Sequence, residues 1–347
     1  MMLRMLTTHS LCAVLVAGLL SATSAEGMAQ STTHPPAPVV RVDPSAAAST
    51  ADENQVPAEA STKDTVPAIR VDVRLVNVFV NVSDATGAPV GGLTRDDFVL
   101  AEDGRPQKIA VFERESEMPL SIVLAIDTSG TVHRDMHLEQ SAARHFVHAL
   151  LRPQDELELL EFDENVRERV PFTSNVKRID AGLAQMQMGS ATALYNAIYL
   201  AADNLAARPA TPTRRKVIVL ITDGGDTVKG VHYQQALEQA LRGEAMVYSL
   251  IIVPIMADAG RDTGGEHALI QMAQDTGGKY YYVEGPRDLE KSFVKVSEDL
   301  RTQYMIGYYP VRRVSDDAFR RITVSMKDAA LQRYTLRHRT GYYAEVR

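Results

Sequence analysis

The feature that most constrains the fold is an alternation of apolar, strand-like runs with helical stretches between residues 118 and 302. Two of the runs, KVIVLIT (216–222) and MVYSLIIV (246–253), are almost wholly apolar, which is typical of parallel strands covered on both faces. Helical stretches stand between the strands, at 132–151, 176–186, 192–207, 233–242, 267–276 and 286–300. Such alternation predicts an α/β domain with a doubly wound, parallel sheet.

Strand patterns without helices flank this domain on both sides. Before it, apolar alternation starts at Ile69 and shifts phase by one residue at Leu75, where a β-bulge is expected. The pair Asp103-Gly104, between apolar segments at 98–100 and 108–112, predicts a hairpin. After the domain come QYMIGYYP (303–310), RITVSM (321–326) and YTLRHR (334–339). We expect residues 69–117 and 303–347 to build a small antiparallel β unit beside the α/β domain.

The first 68 residues have the composition of a targeting segment and a tether. Arg4 precedes an apolar run at 11–20, and small residues follow, which is the pattern of a secretory signal peptide over residues 1–29. The cleavage site would follow Ala25 or Ala29, and an uncleaved anchor is the alternative. Residues 30–68 are rich in Pro, Ala, Ser and Thr and contain no aromatic residue, which predicts a disordered linker. The linker is either a spacer at the cell envelope or a segment without a role.

Charge and cysteine usage narrow the class of protein. The net charge of −7 and the pI near 5.8 argue against a nucleic-acid partner, which requires a basic surface. Cys12 is the only cysteine and lies inside the predicted signal peptide, so the processed chain would carry no disulfide. No other apolar segment reaches membrane length. We therefore expect an exported protein that is periplasmic, attached to the cell envelope or secreted.

Side-chain oxygens gather at three places along the α/β domain. Asp127, Ser129 and Thr131 follow the strand SIVLAI (121–126), Thr192 opens a helix, and Asp223 follows KVIVLIT. Because the carboxyl ends of parallel strands meet at one rim, these side chains are expected to lie close together. Oxygen ligands suit Mg²⁺, with Mn²⁺ or Ca²⁺ as alternatives. Two carboxylates with neutral hydroxyls would leave the ion short of ligands, so a protein partner's Asp or Glu could complete its shell. Each residue alone also fits a helix cap or a turn.

The set Asp127-x-Ser129-x-Thr131, followed at a distance by Thr192 and Asp223, resembles the metal-ion-dependent adhesion site of von Willebrand factor type A (VWA) domains. In that family the pattern is Asp-x-Ser-x-Ser with a distant Thr and a distant Asp, so Thr131 departs from the usual third Ser. The resemblance covers about residues 120–300. It implies a VWA fold, which is a doubly wound, mostly parallel, Rossmann-like sheet with helices on both faces. It also implies that these five residues are metal ligands and that the domain has a protein ligand. The flanking segments resemble those of a bacterial exported, acidobacterial-type subgroup.

Two enzymatic interpretations of the same residues do not fit the sequence. An aspartic protease would need Asp-Thr-Gly and a second such loop, and here Asp127 is followed by Thr128 and Ser129. A phosphatase of the haloacid dehalogenase type would need a carboxylate where Ser129 stands.

We expect a non-enzymatic binding module. The alternatives are a structural envelope scaffold with an empty or merely stabilising metal site and, ranked last, a metal-dependent hydrolase. Asp226 is expected to accept a hydrogen bond beside the ligands, and the tyrosines at 280–282 are either core or a contact patch.

Overall fold

The computed structural model describes residues 75–115, 118–130, 136–209, 214–253, 262–312 and 317–344. The predicted signal peptide, the predicted linker and residues 69–74, on which the expected bulge depends, lie outside the described residues. The α-helices of the described part are α1 Met136–Leu150, α2 Val176–Ala184, α3 Leu194–Ala206, α4 Tyr233–Arg242, α5 Thr263–Thr276 and α6 Pro286–Arg301. Its β-strands are β1 Val76–Ser83, β2 Phe98–Glu102, β3 Arg105–Gln107, β4 Ile109–Glu115, β5 Leu120–Asp127, β6 Glu156–Phe162, β7 Val166–Thr173, β8 Arg215–Thr222, β9 Ala245–Ile252, β10 Tyr280–Val283, β11 Gln303–Tyr308, β12 Phe319–Met326, β13 Thr335–Arg337 and β14 Gly341–Tyr343.

The central sheet has the strand order β10-β9-β8-β5-β6-β7. All neighbouring pairs are parallel except β6 and β7, which form an antiparallel hairpin. The chain enters at β5, builds outward through β6 and β7, and then returns to place β8 on the other side of β5. The strand order therefore reverses between β5 and β8, and ligands of doubly wound sheets bind at the carboxyl ends of strands at such a point. The predicted Rossmann-like α/β fold is confirmed.

Helices cover both faces of this sheet. Neighbouring residues of a strand point to opposite faces, so a wholly apolar strand presents apolar side chains on both faces, and each face must be covered. All eight residues of β5 are buried. Ile122 and Leu124 pack with α1, α2 and α6, and Val123 and Ala125 pack with α3, α4 and α5. Burying one such aliphatic side chain stabilises a fold by about 1.5–3 kcal/mol, so the two apolar layers fix the sheet between the helices. Within the described ranges, no helix is both long and apolar enough to cross a membrane.

Two four-stranded antiparallel sheets flank the α/β core, with the orders β13-β1-β11-β4 and β14-β12-β2-β3. Both sheets combine strands from before and after the α/β core, since β11 lies between β1 and β4 in the first sheet and β12 pairs with β2 in the second. Apolar side chains of both sheets, such as Val78, Leu100, Ile306 and Val324, share one core. The expectation that both flanks build one antiparallel β unit is confirmed.

The predicted hairpin forms, but its second strand differs from the prediction. Asp103 and Gly104 have φ values of 49° and 75°, the backbone that a tight two-residue hairpin turn needs. The returning strand is β3, which ends at Gln107. The apolar residues that follow, predicted to complete the hairpin, belong to β4 and pair with β11 in the other sheet. The apolar pattern predicted a strand at β4 correctly, but it did not predict that this strand pairs with β11.

A buried polar network fastens the flanking strands to the α/β core. Arg215, the first residue of β8, is fully buried and donates to the carbonyl oxygens of Leu300 and Met118 and to Gln303 Oε1. Gln303 Nε2 in turn donates to Asn81 Oδ1 at 2.7 Å, which joins β11 to β1. Because these groups are removed from water, breaking one contact would leave its partner unsatisfied.

Candidate metal centre

Asp127 ends β5 and is fully buried at the point where the strand order reverses. Its side chain lies on the face of the sheet that is covered by α3, α4 and α5. Asp127 Oδ1 accepts a hydrogen bond from the main-chain N–H of Ser129 at 2.9 Å, which turns the chain tightly after the strand. Ser129 is 1% exposed and forms a parallel bridge with Gly189. The described part of the first predicted ligand loop is therefore held in place at Asp127 and at Ser129.

The loop after β8 is tied directly to Asp127. Thr222 Oγ1 donates to Asp127 Oδ2 at 2.6 Å and accepts from the N–H of Gly224 at 3.1 Å. Asp223, half-buried, uses Oδ1 to accept from the N–H of Gly225 at 3.0 Å. The hydroxyl of Thr222 thus connects the strand end that carries Asp127 to the loop that carries Asp223. Sequence reasoning missed Thr222, although its position next to Asp223 at the end of a buried strand was a signal.

Thr192 is brought to the same rim by its main chain. Its N–H donates to Thr227 Oγ1 at 2.9 Å, and its carbonyl oxygen accepts from the N–H of Thr227 at 2.9 Å. The side chain of Thr192 is buried, with 3% of the residue exposed. Upstream, the N–H of Gly189 donates to the carbonyl oxygen of Thr128 at 2.8 Å. The loop at 189–192 therefore bridges the loops after β5 and β8.

Asp163 follows β6 and forms hydrogen bonds that support the loop at 189–192. Asp163 was not identified from the sequence. It is buried and accepts from the N–H of Asn165 and from Arg167 Nη1, the latter at 2.7 Å. Its carbonyl oxygen accepts from the N–H of Ala193 at 2.7 Å. A Cβ atom at Gly189 would lie 2.3 Å from Asp163 Cβ, so only glycine fits there. The available signal was that Asp163, like Asp127, stands at the end of a strand.

Helix α5 closes the rim next to the Asp223 loop. The helix starts at Thr263, four residues before the predicted start, because the glycines that follow resemble a loop in sequence. Asp262 Oδ1 caps it by accepting from the N–H of Gly265 at 2.9 Å. A Cβ atom at Gly265 would lie 1.8 Å from the carbonyl oxygen of Gly224. Gly265 is therefore a packing requirement, and it lets α5 contact the loop that carries Asp223.

The electrostatics of the rim centre on Asp127. Burial raises the pKa of its carboxyl group to about 6, hydrogen bonds from Thr222 and Ser129 lower it, and the negative charge of Asp223 raises it. Two carboxylates therefore lie close enough to repel each other, and that of Asp127 is fully buried. A divalent cation beside them would offset both the burial and the repulsion. The donor chemistry of the rim fits a hard cation such as Mg²⁺.

Four of the five predicted ligands, Asp127, Ser129, Thr192 and Asp223, thus lie on three connected loops. Thr131, the fifth, lies outside the described residues. Their roles as ligands stay a prediction. Among the described residues there is no cluster of three or more His, Cys, Asp or Glu side chains that could hold a metal. The predicted set is of a different kind, because three of its five residues carry a hydroxyl group and only two carry a carboxylate.

Two other polar residues near the rim have structural partners. Asp226 Oδ1 accepts from the N–H of Tyr195 at 3.4 Å, in the first turn of α3. Burial raises the pKa of Asp226, and this hydrogen bond lowers it. Ser190 donates to Glu164 Oε2 through its N–H at 3.1 Å and through its hydroxyl at 3.2 Å. Hydrogen bonds from Ser190 lower the pKa of the exposed Glu164.

Comparison with known proteins relates part of this chain to a known domain family. Residues 122–225 match the family model of the von Willebrand factor type A domain, a stretch that runs from β5 to the loop after β8. This match covers less than a third of the chain and, with the fold described above, shows a VWA-like fold. Domains of this type typically mediate protein interactions and are generally not enzymes. No curated protein matches the chain in sequence.

Several solved structures are similar to this chain. BatB from Bacteroides thetaiotaomicron, described as a conserved hypothetical protein, is 20% identical over 52% of this chain and 99% of its own, with a TM-score of 0.40. A von Willebrand factor type A protein from Catenulispora acidiphila is 11% identical over 79% of this chain and 75% of its own, with a TM-score of 0.46. Proximal thread matrix protein 1 from the mussel byssus, whose structure has a zinc-occupied MIDAS motif, is 13% identical over 57% of this chain and 49% of its own, with a TM-score of 0.45.

These identities are too low to transfer a function. None of the matches tests the resemblance of the flanking segments to the acidobacterial-type subgroup, which stays a prediction.

Proposed function

We propose that this protein is an exported, non-enzymatic binding module that holds a divalent cation at the rim of its central sheet and engages a protein partner through it. Asp127, Ser129, Thr192 and Asp223 would hold the ion, directly or through water, and Thr131 would add a hydroxyl group. Mg²⁺ is the expected ion, with Mn²⁺ or Ca²⁺ as alternatives.

The observation that supports this proposal most is the buried carboxylate of Asp127 beside a second carboxylate. Burial disfavours the charged form of Asp127, and the negative charge of Asp223 disfavours it further. The hydrogen bonds from Thr222 and Ser129 position Asp127 but supply no positive charge. A divalent cation would supply that charge at the point where doubly wound sheets bind ligands.

The ligand set also favours a partner that brings its own carboxylate. Two protein carboxylates and neutral hydroxyl groups provide fewer oxygens than the six to eight that hard divalent ions take, so a position is left for water or an incoming ligand. When bound, the ion would supply a positive charge that a partner's Asp or Glu side chain can coordinate. The rigid loops described above would fix the direction from which that side chain approaches.

A capture experiment tests partner binding. The immobilised full chain should retain a protein from an envelope extract in Mg²⁺ and release it on addition of EDTA. The variant Asp223→Ala should capture none, because one of the two carboxylates is lost. Glu164→Gln, which removes an exposed carboxylate from the same rim, should behave as the wild type.

The structural scaffold is the second candidate, and the buried network of Arg215, Gln303 and Asn81 favours it, since it makes the flanking strands an integral part of the fold. Capture that survives both EDTA and Asp223→Ala would support the scaffold and contradict the metal-dependent module. Export is tested separately by amino-terminal sequencing of the protein from cell fractions. A chain in the envelope or medium that starts after residue 25 or 29 is the expected result.

A further inference from the structure

A cleft of 460 Å³ lies along β10, the outermost strand at one edge of the central sheet. Side chains of β10, of α6 and of the residues just before β10 line it. Four cationic groups face the cleft, from Lys279, Lys291, Lys295 and Arg337, whereas Asp288 is the one carboxylate among the described residues that line it. A cationic cleft is unexpected on a chain whose net charge is −7.

The nearby carboxylates are already engaged. Asp288 Oδ1 pairs with Lys291 Nζ at 3.0 Å. Arg337 Nη2 donates to both carboxylate oxygens of Asp299, at 2.7 and 2.6 Å. Within the described part of the chain, Lys279 and Lys295 have no carboxylate within salt-bridge distance. Two positive charges of the cleft are therefore not neutralised by a direct partner.

The ring of Tyr281 places these two ammonium groups at one site. Lys279 Nζ lies 5.2 Å from the ring centroid and Lys295 Nζ lies 5.8 Å from it. Lys279 is half-buried, and burial lowers its pKa, as do the charges of Arg337 and Lys295, while Asp299 partly offsets them. Two like charges held beside one ring repel each other, and an anion between them would relieve that repulsion.

We propose that this cleft binds a phosphate monoester group. Such a group carries about −1.5 to −2 charges near pH 7, which matches the two ammonium groups that lack a carboxylate. Lysine binds phosphate as a point charge and does not need the flat, forked geometry that carboxylate recognition by arginine uses. A soluble phosphorylated molecule and the phosphate headgroup of a lipid share this chemistry.

The site is independent of the metal centre. Lys279 precedes the first residue of β10 and so lies at the amino ends of the parallel strands, whereas the predicted metal ligands lie at their carboxyl ends. Phosphate binding can therefore be present whether or not the rim binds Mg²⁺.

Titration calorimetry on the full chain tests the proposal with inorganic phosphate and glycerol 1-phosphate at constant ionic strength. Saturable binding is expected. The double variant K279Q/K295Q should weaken it roughly tenfold or more, because both charge-assisted contacts are lost. The control K108Q/K177Q removes the same charge from exposed sites and should leave the affinity unchanged. The single variant K295Q alters only an exposed side chain, so its weaker binding would not reflect misfolding.

Vesicle sedimentation distinguishes the sources of phosphate. Binding to phosphatidylcholine vesicles that contain phosphatidic acid, and not to those with phosphatidylglycerol, would assign the site to a monoester headgroup. Binding of the soluble probes alone would assign it to a small phosphorylated molecule. The proposal is overturned if wild-type protein binds none of the phosphate probes, if K279Q/K295Q binds them as well as wild type, or if polyglutamate binds more tightly than phosphate.

Discussion

Glu158 is a buried acid in β6 whose replacement should remove a loss of stability at alkaline pH. Its side chain is fully buried, Oε1 accepts from Asn204 Nδ2 at 2.6 Å, and Oε2 has no hydrogen-bond partner among the described residues. Burial raises its pKa from the ordinary value of 4.5 to about 8, the hydrogen bond from Asn204 lowers it, and the charge of Glu168 on β7 raises it. The folded protein therefore keeps Glu158 protonated at neutral pH.

The sign of the effect follows from the two pKa values. The unfolded chain ionises at 4.5 and the folded protein at about 8, so unfolding releases a proton between these values and stability falls as the pH rises through this window. One pH unit corresponds to about 1.4 kcal/mol, which gives a ceiling of roughly 5 kcal/mol at alkaline pH. Because ionised groups in protein interiors recruit water and local rearrangement, we expect roughly 1–3 kcal/mol.

Urea unfolding of wild type and Glu158→Gln between pH 4 and pH 9 measures this contribution. Glutamine keeps the acceptor for Asn204 and does not ionise. The variant should match wild type at pH 4 and exceed it by roughly 1–3 kcal/mol at pH 9. Glu113→Gln, an exposed control on β4, should show no such divergence. A constant difference between Glu158→Gln and wild type across the range would refute the reasoning.

Two further substitutions test parts of the fold. Glu102 accepts hydrogen bonds from two buried tyrosines and from the fully buried Arg320. Glu102→Gln removes the carboxylate charge beside that guanidinium and should cost about 3–5 kcal/mol in urea unfolding, and a loss below about 1 kcal/mol would contradict this. Gly265→Ala would place its Cβ atom 1.8 Å from the carbonyl oxygen of Gly224 and should destabilise by about 1–3 kcal/mol. Gly264→Ala is the control, and equal losses for the two would contradict the packing argument.

The α/β fold was predictable because its signals are local. Runs such as KVIVLIT are buried on both faces wherever they lie in a parallel sheet, and the helices between them follow from periodicity. Strand pairing in the flanks was not predictable to the same degree. The residues of β4 show a strand pattern, but their partner, β11, lies almost 200 residues later in the chain, and alternation does not name a distant partner.

The predicted ligands of the candidate site could be found from the sequence, but the residues that position them could not. Asp127 and Asp223 stand at strand ends, so the topology of a doubly wound sheet brings them to one rim. The roles of Thr222, Asp163 and Gly265 depend on contacts between loops that are distant in sequence. Such contacts arise from tertiary packing, and no local pattern distinguishes Gly265, which packs against Gly224, from a glycine that ends a helix.

The melting temperature of the full chain in Mg²⁺ and in EDTA tests the central claim most directly. An ion at about 100 times its dissociation constant stabilises the fold by about 2.7 kcal/mol, which corresponds to a rise of several degrees for a domain of this size. We predict this rise for the wild type and for Glu164→Gln, and none for Asp127→Asn, which keeps the size of the side chain but loses its charge. An unchanged wild-type melting temperature across millimolar Mg²⁺, Mn²⁺ and Ca²⁺, or an equal rise in Asp127→Asn, would contradict the account.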